Sequence, residues 1–144
     1  MKNSKATPIN ILLVEDNPND VLLTTKLLRH AKLLNNLDVA KDGEEALAYL
    51  LRKGIYSAKP RPDLILLDLN LPKKDGWALL ADIRNIPELN DITVAVQSAS
   101  ADGPEILRTG GLQADCYVTK PIDLGQMIDI VKSVGSFGLY IVKQ

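Results

Sequence analysis

The sequence predicts an α/β fold, a doubly wound five-stranded parallel sheet between helices in an α/β/α sandwich. Short apolar runs recur along the chain, several of them are continuously apolar, and segments of helical length lie between them. Continuously apolar strands are typical of parallel sheets that are covered on both faces. Alternation of strands and helices indicates right-handed helical crossovers, which make neighbouring strands parallel.

Five apolar runs are the predicted strands. The second is weaker than the other four. The runs comprise residues 9–14, 37–40, 64–67, 94–96 and 116–118. Segments of helical length separate them, as the predicted fold requires.

Residues with helical spacing predict an amphipathic helix over residues 20–31. Its predicted inner face consists of Val21, Leu22, Thr25 and Leu28. A second helix covers residues 44–52, with its apolar positions also at helical spacing.

Capping and breaking residues bound the later helices. A third helix begins after Gly76 and ends before Pro87, which cannot propagate a helix. The last helix begins after Asp123, and Gln126 stands at the spacing of a capping box. A helix over residues 102–113 is weaker, because it contains Pro104 and two adjacent glycines.

Length and composition exclude several classes of protein. The 144 residues suit one domain. The 17 basic and 18 acidic residues leave a net charge of -1, so we expect no nucleic-acid or membrane partner. No apolar run approaches the roughly 18 residues of a membrane span, and no signal peptide is visible, which predicts a cytoplasmic protein. One cysteine, Cys116, and one histidine, His30, exclude an internal disulfide and the usual zinc sites.

Polar residues end most of the predicted strands. Glu15 and Asp16 follow the first strand, Asp68 the third and Ser98 the fourth, and Lys120 lies just beyond the fifth. In open α/β sheets, ligands bind outside the carboxyl ends of the strands. We therefore expect three carboxylates, a hydroxyl and an ammonium group to share one cleft.

Three neighbouring carboxylates repel one another and require a positive counter-charge. Oxygen ligands of this kind suit a hard divalent cation, and Mg²⁺ is favoured because it also bridges to phosphate oxygens. The chemistry expected of such a cleft is phosphoryl transfer to a carboxylate, with the metal and a lysine balancing the charge.

Three motifs, in this order, resemble the receiver domain of two-component response regulators. They are ILLVEDN at residues 11–17, PDLILLDLNLP at residues 62–72 followed by Asp75-Gly76, and YVTKP at residues 117–121. The resemblance implies a flavodoxin-like receiver fold with strand order 2-1-3-4-5. The resemblance covers residues 9–135, the expected receiver domain. The residues outside it predict a flexible leader over residues 1–8 and a C-terminal tail with apolar residues over residues 136–144.

The same resemblance implies roles for individual residues. Asp68 is the expected phosphoacceptor, and Lys120 and Ser98 are expected to contact the phosphoryl group. Expected Mg²⁺ ligands are Asp16, Asp68, the backbone carbonyl of Asn70 and, through water, Glu15. Ser98 and Tyr117 are the expected switch residues. Asn70 and Ser100 are expected to tune the rate of dephosphorylation. Gly76 and a cis Pro121 are expected to have structural roles.

A narrower resemblance concerns the regulators of cyanobacterial and bacterial phytochromes. It rests on the loop at residues 53–62, the stretch at residues 68–76 and Cys116-Tyr117. It implies a phytochrome histidine kinase as phosphoryl donor and a homodimer contact through the C-terminal segment. With no output domain expected in 144 residues, the signal would pass to an unidentified downstream protein through a surface that phosphorylation changes.

The predicted function is therefore a single-domain response regulator, a signalling phosphoacceptor that supports only its own phosphotransfer and autodephosphorylation. One alternative is a pseudo-receiver that no longer accepts phosphate. A Mg²⁺-dependent phosphatase of the haloacid-dehalogenase type is another, but it requires a second aspartate where this chain has Asn70.

Three positions depart from the family pattern. Thr93 replaces the usual proline, Gln97 stands where an apolar residue usually precedes the switch hydroxyl, and Gly110-Gly111 replaces bulkier residues. These departures leave the acidic residues intact. They put in doubt how firmly the output face over residues 98–113 is held.

Overall fold

In a computed structural model of the chain, five strands form one parallel sheet. The structure describes residues 8–31, 34–71, 75–99, 114–132 and 134. The strands are β1 (Ile9–Val14), β2 (Asn35–Ala40), β3 (Leu64–Asp68), β4 (Thr93–Ser98) and β5 (Cys116–Thr119). Their order in the sheet is β2-β1-β3-β4-β5, and each neighbouring pair is parallel. The predicted fold and strand order are confirmed.

Four helices in the described residues connect or follow the strands. They are α1 (Pro18–His30), α2 (Gly43–Leu50), α3 (Gly76–Asn85) and α4 (Leu124–Lys132), and a short 3-10 turn covers Gly54–Tyr56. The side chains of Asn17, Asp42 and Asp75 cap the first three helices by accepting backbone N–H bonds. At α4, Asp123 and Gln126 bond to each other's backbone N–H at 2.8 and 3.0 Å, so the predicted capping box is confirmed.

The core lies in two layers, one on each face of the sheet. Side chains of alternate parity point to opposite faces of a strand. On one face, Leu12, Leu67 and Val96 pack with α2 and α3 residues. On the other face, Leu13, Leu66 and Ala95 pack with α1 and α4 residues. This two-sided burial is the reason for the continuous apolar runs.

One feature of the predicted inner face of α1 is wrong. Leu22 is 52% exposed, whereas Thr24 and Leu28 are buried. The hydroxyl of Thr25 donates to the Val21 carbonyl at 2.8 Å, and its side chain is half-buried. The buried stripe therefore runs through Thr24 at the correct helical spacing, one position away from the predicted Thr25.

Several predicted features lie outside the described residues. They are residues 1–7 of the leader, the helix over residues 102–113 with Gly110-Gly111, Ser100, and the tail over residues 136–144. None of the helices in the described part of the chain has the length and apolar character that crossing a bilayer requires.

Candidate functional site

The predicted site residues meet at the carboxyl edge of the sheet. Asp68 is the last residue of β3, and Glu15 directly follows β1. The register pairs Val14 of β1 with Leu67 of β3, so the next residue on each strand lies at the same level. The backbone N–H of Lys120, just after β5, donates to the carbonyl of Ser98 at 2.8 Å. Parallel strands thus bring residues from distant parts of the sequence to one edge.

The ammonium group of Lys120 is the centre of the site. It donates to Glu15 Oε1 at 2.7 Å, to Asp68 Oδ2 at 2.9 Å and to Asp20 Oδ2 at 3.0 Å. Glu15 and Asp68 are 2% and 3% exposed. Three carboxylates therefore share one cation in a largely buried setting, where charge interactions are stronger than in water.

Asp20 is a site residue that the sequence reasoning did not identify. It lies in the first turn of α1, four residues after Asp16. Its only sequence signal is this position, an acidic residue in the first turn of a helix that directly follows an acidic strand end. An aspartate in the first turn of a helix commonly interacts with the helix dipole. Its ion pair with Lys120 is evident only in the tertiary structure, which brings the two side chains together.

The environment changes the acid–base behaviour of two groups. Burial raises the pKa of Glu15 from its ordinary 4.5 to about 7; the hydrogen bond from Lys120 opposes the shift, and the neighbouring Asp68 adds to it. Burial alone would lower the pKa of Lys120, but its hydrogen bonds to Glu15, Asp68 and Asp20 outweigh burial and raise it. Lys120 is therefore charged at neutral pH, while Glu15 is poised to exchange a proton.

The carboxylates form a set that suits a hard divalent cation. Oxygen atoms of Glu15, Asp16 and Asp68 all lie within 4.8 Å of one another. Glu15 and Asp68 are buried, whereas Asp16 is exposed and open to water. Mg²⁺ prefers carboxylate oxygens together with several retained waters, so this donor set fits such an ion.

The backbone around Asp68 fixes the orientation of its carboxylate. The N–H of Asn70 donates to Asp68 Oδ1 at 3.0 Å, while Lys120 holds the other oxygen. Gly76, the first residue of α3, packs directly against this strand end: a Cβ atom there would lie 2.4 Å from the Asp68 carbonyl oxygen and 2.6 Å from Leu69 Cα. Only glycine fits this approach without displacing the backbone.

The expected switch residues lie on β4 and β5, the two strands on the β4 side of β3. Ser98 ends β4 and is buried. The ring of Tyr117 on β5 packs against the core on the α2–α3 face, and its hydroxyl accepts from the Ala114 N–H at 3.2 Å. The Lys120–Pro121 peptide is cis.

The fold and the site together define a class of protein. A five-stranded parallel sheet with buried acidic residues and a lysine at its carboxyl edge is the architecture that the sequence motifs led us to expect. The profile of the response regulator receiver domain matches residues 11–132. The chain belongs to the response-regulator receiver family.

Within this family, the chain is similar to particular response regulators of cyanobacteria. The chain is 39% identical to the response regulator Rcp1 of Synechocystis sp. over 99% of its own length and 97% of that protein. It resembles the crystal structure of the phosphorylated cyanobacterial phytochrome response regulator RcpA, with 43% identity, a TM-score of 0.75, and coverage of 91% of this chain and 94% of that one. It also resembles the crystal structure of the Mn²⁺-bound form of Rcp1, with 40% identity and a TM-score of 0.74. The match covers 94% of this chain and 98% of that one.

Bacteriophytochrome response regulators are among the other structural matches. The predicted resemblance to the response regulators of phytochromes is thereby confirmed.

Proposed function

We propose that this protein is a phosphorylation-controlled switch in which Asp68 accepts a phosphoryl group from a histidine kinase. One observation carries the proposal. The buried Asp68 carboxylate is held at one oxygen by Lys120 and at the other by the Asn70 N–H, beside the carboxylates of Glu15 and Asp16. Such an arrangement fixes a nucleophile and surrounds it with groups that balance phosphoryl charge.

The transfer step follows from these contacts. An oxygen of Asp68 attacks the phosphorus of a phosphohistidine; the new P–O bond forms as the P–N bond breaks, and the imidazole leaves with the electron pair. Lys120 is charged and already within hydrogen-bond distance of Asp68, so it can stabilise the transferred group without a large rearrangement. The Asn70 N–H keeps the carboxylate oriented.

A divalent cation, which we propose to be Mg²⁺, fits the same site. Asp16, Asp68 and the Asn70 carbonyl would hold it directly, and Glu15 through water. When bound, the cation supplies positive charge that offsets both the carboxylates and the phosphoryl oxygens. Burial is the main reason that the pKa of Glu15 is raised, and the neighbouring Asp68 adds to the shift in spite of the hydrogen bond from Lys120. A cation beside these two carboxylates would favour their charged forms.

Phosphorylation would change the surface of the protein through Ser98 and Tyr117. The phosphoryl group adds negative charge and acceptor oxygens, which attract the Ser98 hydroxyl. We propose that Tyr117 then moves into the space that this shift opens, and that a downstream protein reads the altered face. Asn70 and Ser100 would set the access of water and hence the lifetime of the acyl phosphate.

The phosphoacceptor assignment is tested with a small-molecule donor. The full chain is incubated with acetyl phosphate and Mg²⁺, and its intact mass is measured. We expect one added phosphoryl group on the wild type and none on Asp68→Asn, which keeps the size of the side chain but removes the nucleophilic charge. An unlabelled wild type would contradict the proposal and favour the pseudo-receiver alternative, and equal labelling of the variant would contradict the site.

We also propose that the phosphoryl donor is the histidine kinase of a phytochrome. The support is the similarity to a structure described as a cyanobacterial phytochrome response regulator. Transfer from a phosphorylated phytochrome kinase is expected to be faster than transfer from an unrelated histidine kinase, measured by loss of label from each kinase. Equal rates would remove the partner assignment and leave the phosphoacceptor assignment intact. Because such a kinase draws its phosphoryl group from ATP, we place the protein in the cytoplasm.

We propose that residues 9–135 form the receiver domain and that residues 136–144 contribute a homodimer contact. The apolar composition of the tail supports this proposal. Sedimentation of the full chain and of a chain ending at residue 135 tests it. A dimer in both, or a monomer in both, would contradict a role for the tail.

A further inference from the structure

A pocket lies at the amino edge of the sheet, where the strands begin, opposite the acidic site. It has a volume of about 370 Å³. Its lining comes from the end of α2, from the loop before β3 and from the segment before β4, and consists of Leu50, Leu51, Arg52, Arg61, Glu88 and Leu89. Leu50 and Leu89 are buried, and the charged residues are exposed. The pocket therefore has an apolar floor and a charged rim.

Two opposite charges on this rim lack a partner within the described part of the chain. Arg61 is engaged, because its guanidinium forms an ion pair with Asp91 and donates to the backbone carbonyl of Glu88 at 3.4 Å. The guanidinium of Arg52 and the carboxylate of Glu88 form no hydrogen bond or ion pair with another described residue. One unpaired cation and one unpaired anion thus lie on the same surface.

The backbone of Arg52 is an independent indication that its side chain has a use. Arg52 has a φ of 55°, in the left-handed region that residues other than glycine seldom adopt. It follows the C-cap of α2 in a Schellman pattern: its N–H donates to the Tyr49 carbonyl, and the Lys53 N–H donates to the Ala48 carbonyl, both at 3.0 Å. Glycine is the preferred residue at this position, so arginine carries a conformational cost that glycine would avoid.

The same loop carries a fully exposed apolar side chain. Ile55 lies three residues after Arg52 and is 86% exposed, more than any other large apolar residue in the described part of the chain. Its neighbour Tyr56 packs against Tyr49 of α2, with ring centroids 5.6 Å apart, which ties the turn to the helix. Burial of the isoleucine in a partner would be favourable, because it removes apolar surface from water.

We propose that this surface, formed by the pocket, Arg52, Ile55 and Glu88, binds the same surface of a second copy of the chain. A two-fold axis makes such an interface isologous, so each contact occurs twice. Ile55 of each copy would enter the pocket of the other, and Arg52 of each would pair with Glu88 of the other. A second copy is the occupant because the surface is self-complementary. It offers both a pocket and an apolar side chain to fill it, and one unpaired charge of each sign.

This interface would leave the acidic site accessible. Asp68 ends β3 at the carboxyl edge, whereas the pocket lies before the starts of β3 and β4. A kinase would therefore reach Asp68 in both copies of the dimer. The inference rests on the homodimer proposed above, but not on phosphorylation, and it adds a contact separate from the tail.

Sedimentation equilibrium of the full-length, unphosphorylated chain measures the Kd of the dimer. We expect the wild type to dimerise as its concentration rises. Arg52→Glu and Glu88→Arg should each raise the Kd by about tenfold, because each reversal places like charges together twice in the dimer. Ile55→Ser should raise the Kd severalfold, because it removes apolar area that the interface buries.

A mixture of the two charge variants tests the pairing directly. Arg52→Glu leaves two anions on the surface and Glu88→Arg leaves two cations, so an equal mixture should form a heterodimer with a Kd near that of the wild type. Lys53→Glu is the matched charge control, because Lys53 is exposed next to Arg52 but does not line the pocket. Leu22→Ser is the matched apolar control, because Leu22 is 52% exposed on α1. Both controls should keep a Kd close to that of the wild type.

Several outcomes would overturn the proposal. A monomeric wild type would contradict this interface and the tail contact together. A dimer that is lost in the chain ending at residue 135 but unaffected by Arg52→Glu would contradict this interface alone. Equal effects of Arg52→Glu and Lys53→Glu would assign the loss to net charge, and folded single variants that fail to associate in the mixture would exclude the pairing.

Two further measurements keep the test decisive. Labelling by acetyl phosphate should be unchanged in Arg52→Glu, so failure of this interface is distinguishable from failure of the phosphoacceptor assignment. Should a charge variant fail to fold, Ile55→Ser still locates the interface, because its side chain is 86% exposed. A wild-type Kd in Ile55→Ser would then contradict the proposal.

Discussion

Gly76→Ala is expected to damage both the stability and the phosphorylation of this protein. Gly76 is buried at the start of α3, where its N–H donates to the Leu69 carbonyl at 3.2 Å. The added Cβ would lie 2.4 Å from the Asp68 carbonyl oxygen and 2.6 Å from Leu69 Cα. Both atoms belong to the backbone, so no flexible side chain can move aside. Relief of the contact requires α3 and the end of β3 to separate.

The size of the effect follows from these distances. Ordinary contacts of a Cβ atom begin near 3.4 Å, so the backbone must move by nearly 1 Å. Overpacking of a core typically costs about 1–3 kcal/mol, and a clash with backbone lies at the upper end, so we expect a loss of about 3 kcal/mol. With an unfolding entropy of about 2.1 cal/mol/K per residue, this loss lowers the Tm by roughly 10 °C for a chain of this length.

The assay combines thermal unfolding with labelling by acetyl phosphate. Gly125→Ala is the matched control, because Gly125 is exposed in the first turn of α4. Among the described residues, its added Cβ would meet only Asp123 Oδ1, at 3.5 Å. Alanine favours helix over glycine by up to about 1 kcal/mol, so the control should be neutral or slightly stabilising. Below its own Tm, Gly76→Ala should label more slowly than the wild type because Asp68 is displaced.

A Gly76→Ala protein whose free energy of unfolding stays within about 0.5 kcal/mol of the wild type would refute this reasoning. It would mean that α3 shifts freely away from β3. Normal stability with slow labelling would limit the role of Gly76 to the geometry of Asp68.

Further predictions concern the charged and polar groups of the site. Without divalent cations, the free energy of unfolding should fall as pH rises from about 4.5 to about 7, because folded Glu15 retains a proton that the unfolded chain has lost. Glu15→Gln should remove this part of the pH dependence. If the slope of the free energy of unfolding against pH is the same in the variant, other groups cause it. Mg²⁺ at ten times its Kd should stabilise the wild type by about 1.4 kcal/mol in thermal unfolding, and Asp16→Asn should lose most of this gain. Gln97→Leu should raise the free energy of unfolding by about 1–2 kcal/mol, since it removes an unsatisfied buried donor. Destabilisation in a denaturant titration would show that the amide has a partner.

The sequence predicted the sheet well because its signals are local. The apolar runs of β1 and β3 are set by burial on both faces, and the Asp123–Gln126 capping box is contained in four residues. The first helix starts two residues earlier than its apolar spacing predicted. α1 begins at Pro18 rather than Asp20, because Asn17 caps it and proline suits the first helical position.

The inner face of α1 was less predictable. Leu22 and Leu28 are equally apolar, yet one is 52% exposed and the other is buried. Hydropathy does not specify which stripe of a helix meets the sheet, since that depends on how the helix is rotated against β1 and α4. Thr24 and Thr25 are adjacent and identical, so the sequence fits either rotation, although only Thr24 is buried in the structure.

The sequence by itself determined the fold class, the strand order through family resemblance, and the acidic residues that end the strands. Only the tertiary structure decided which charges meet. Asp20 and Lys120 are 100 residues apart, yet their side chains lie at 3.0 Å. Likewise, nothing local to Gln97 indicates that its amide nitrogen is buried without a partner among the described residues. The physical reason is that charge pairing and hydrogen-bond satisfaction act over a few ångströms in space, whereas sequence patterns report neighbours along the chain.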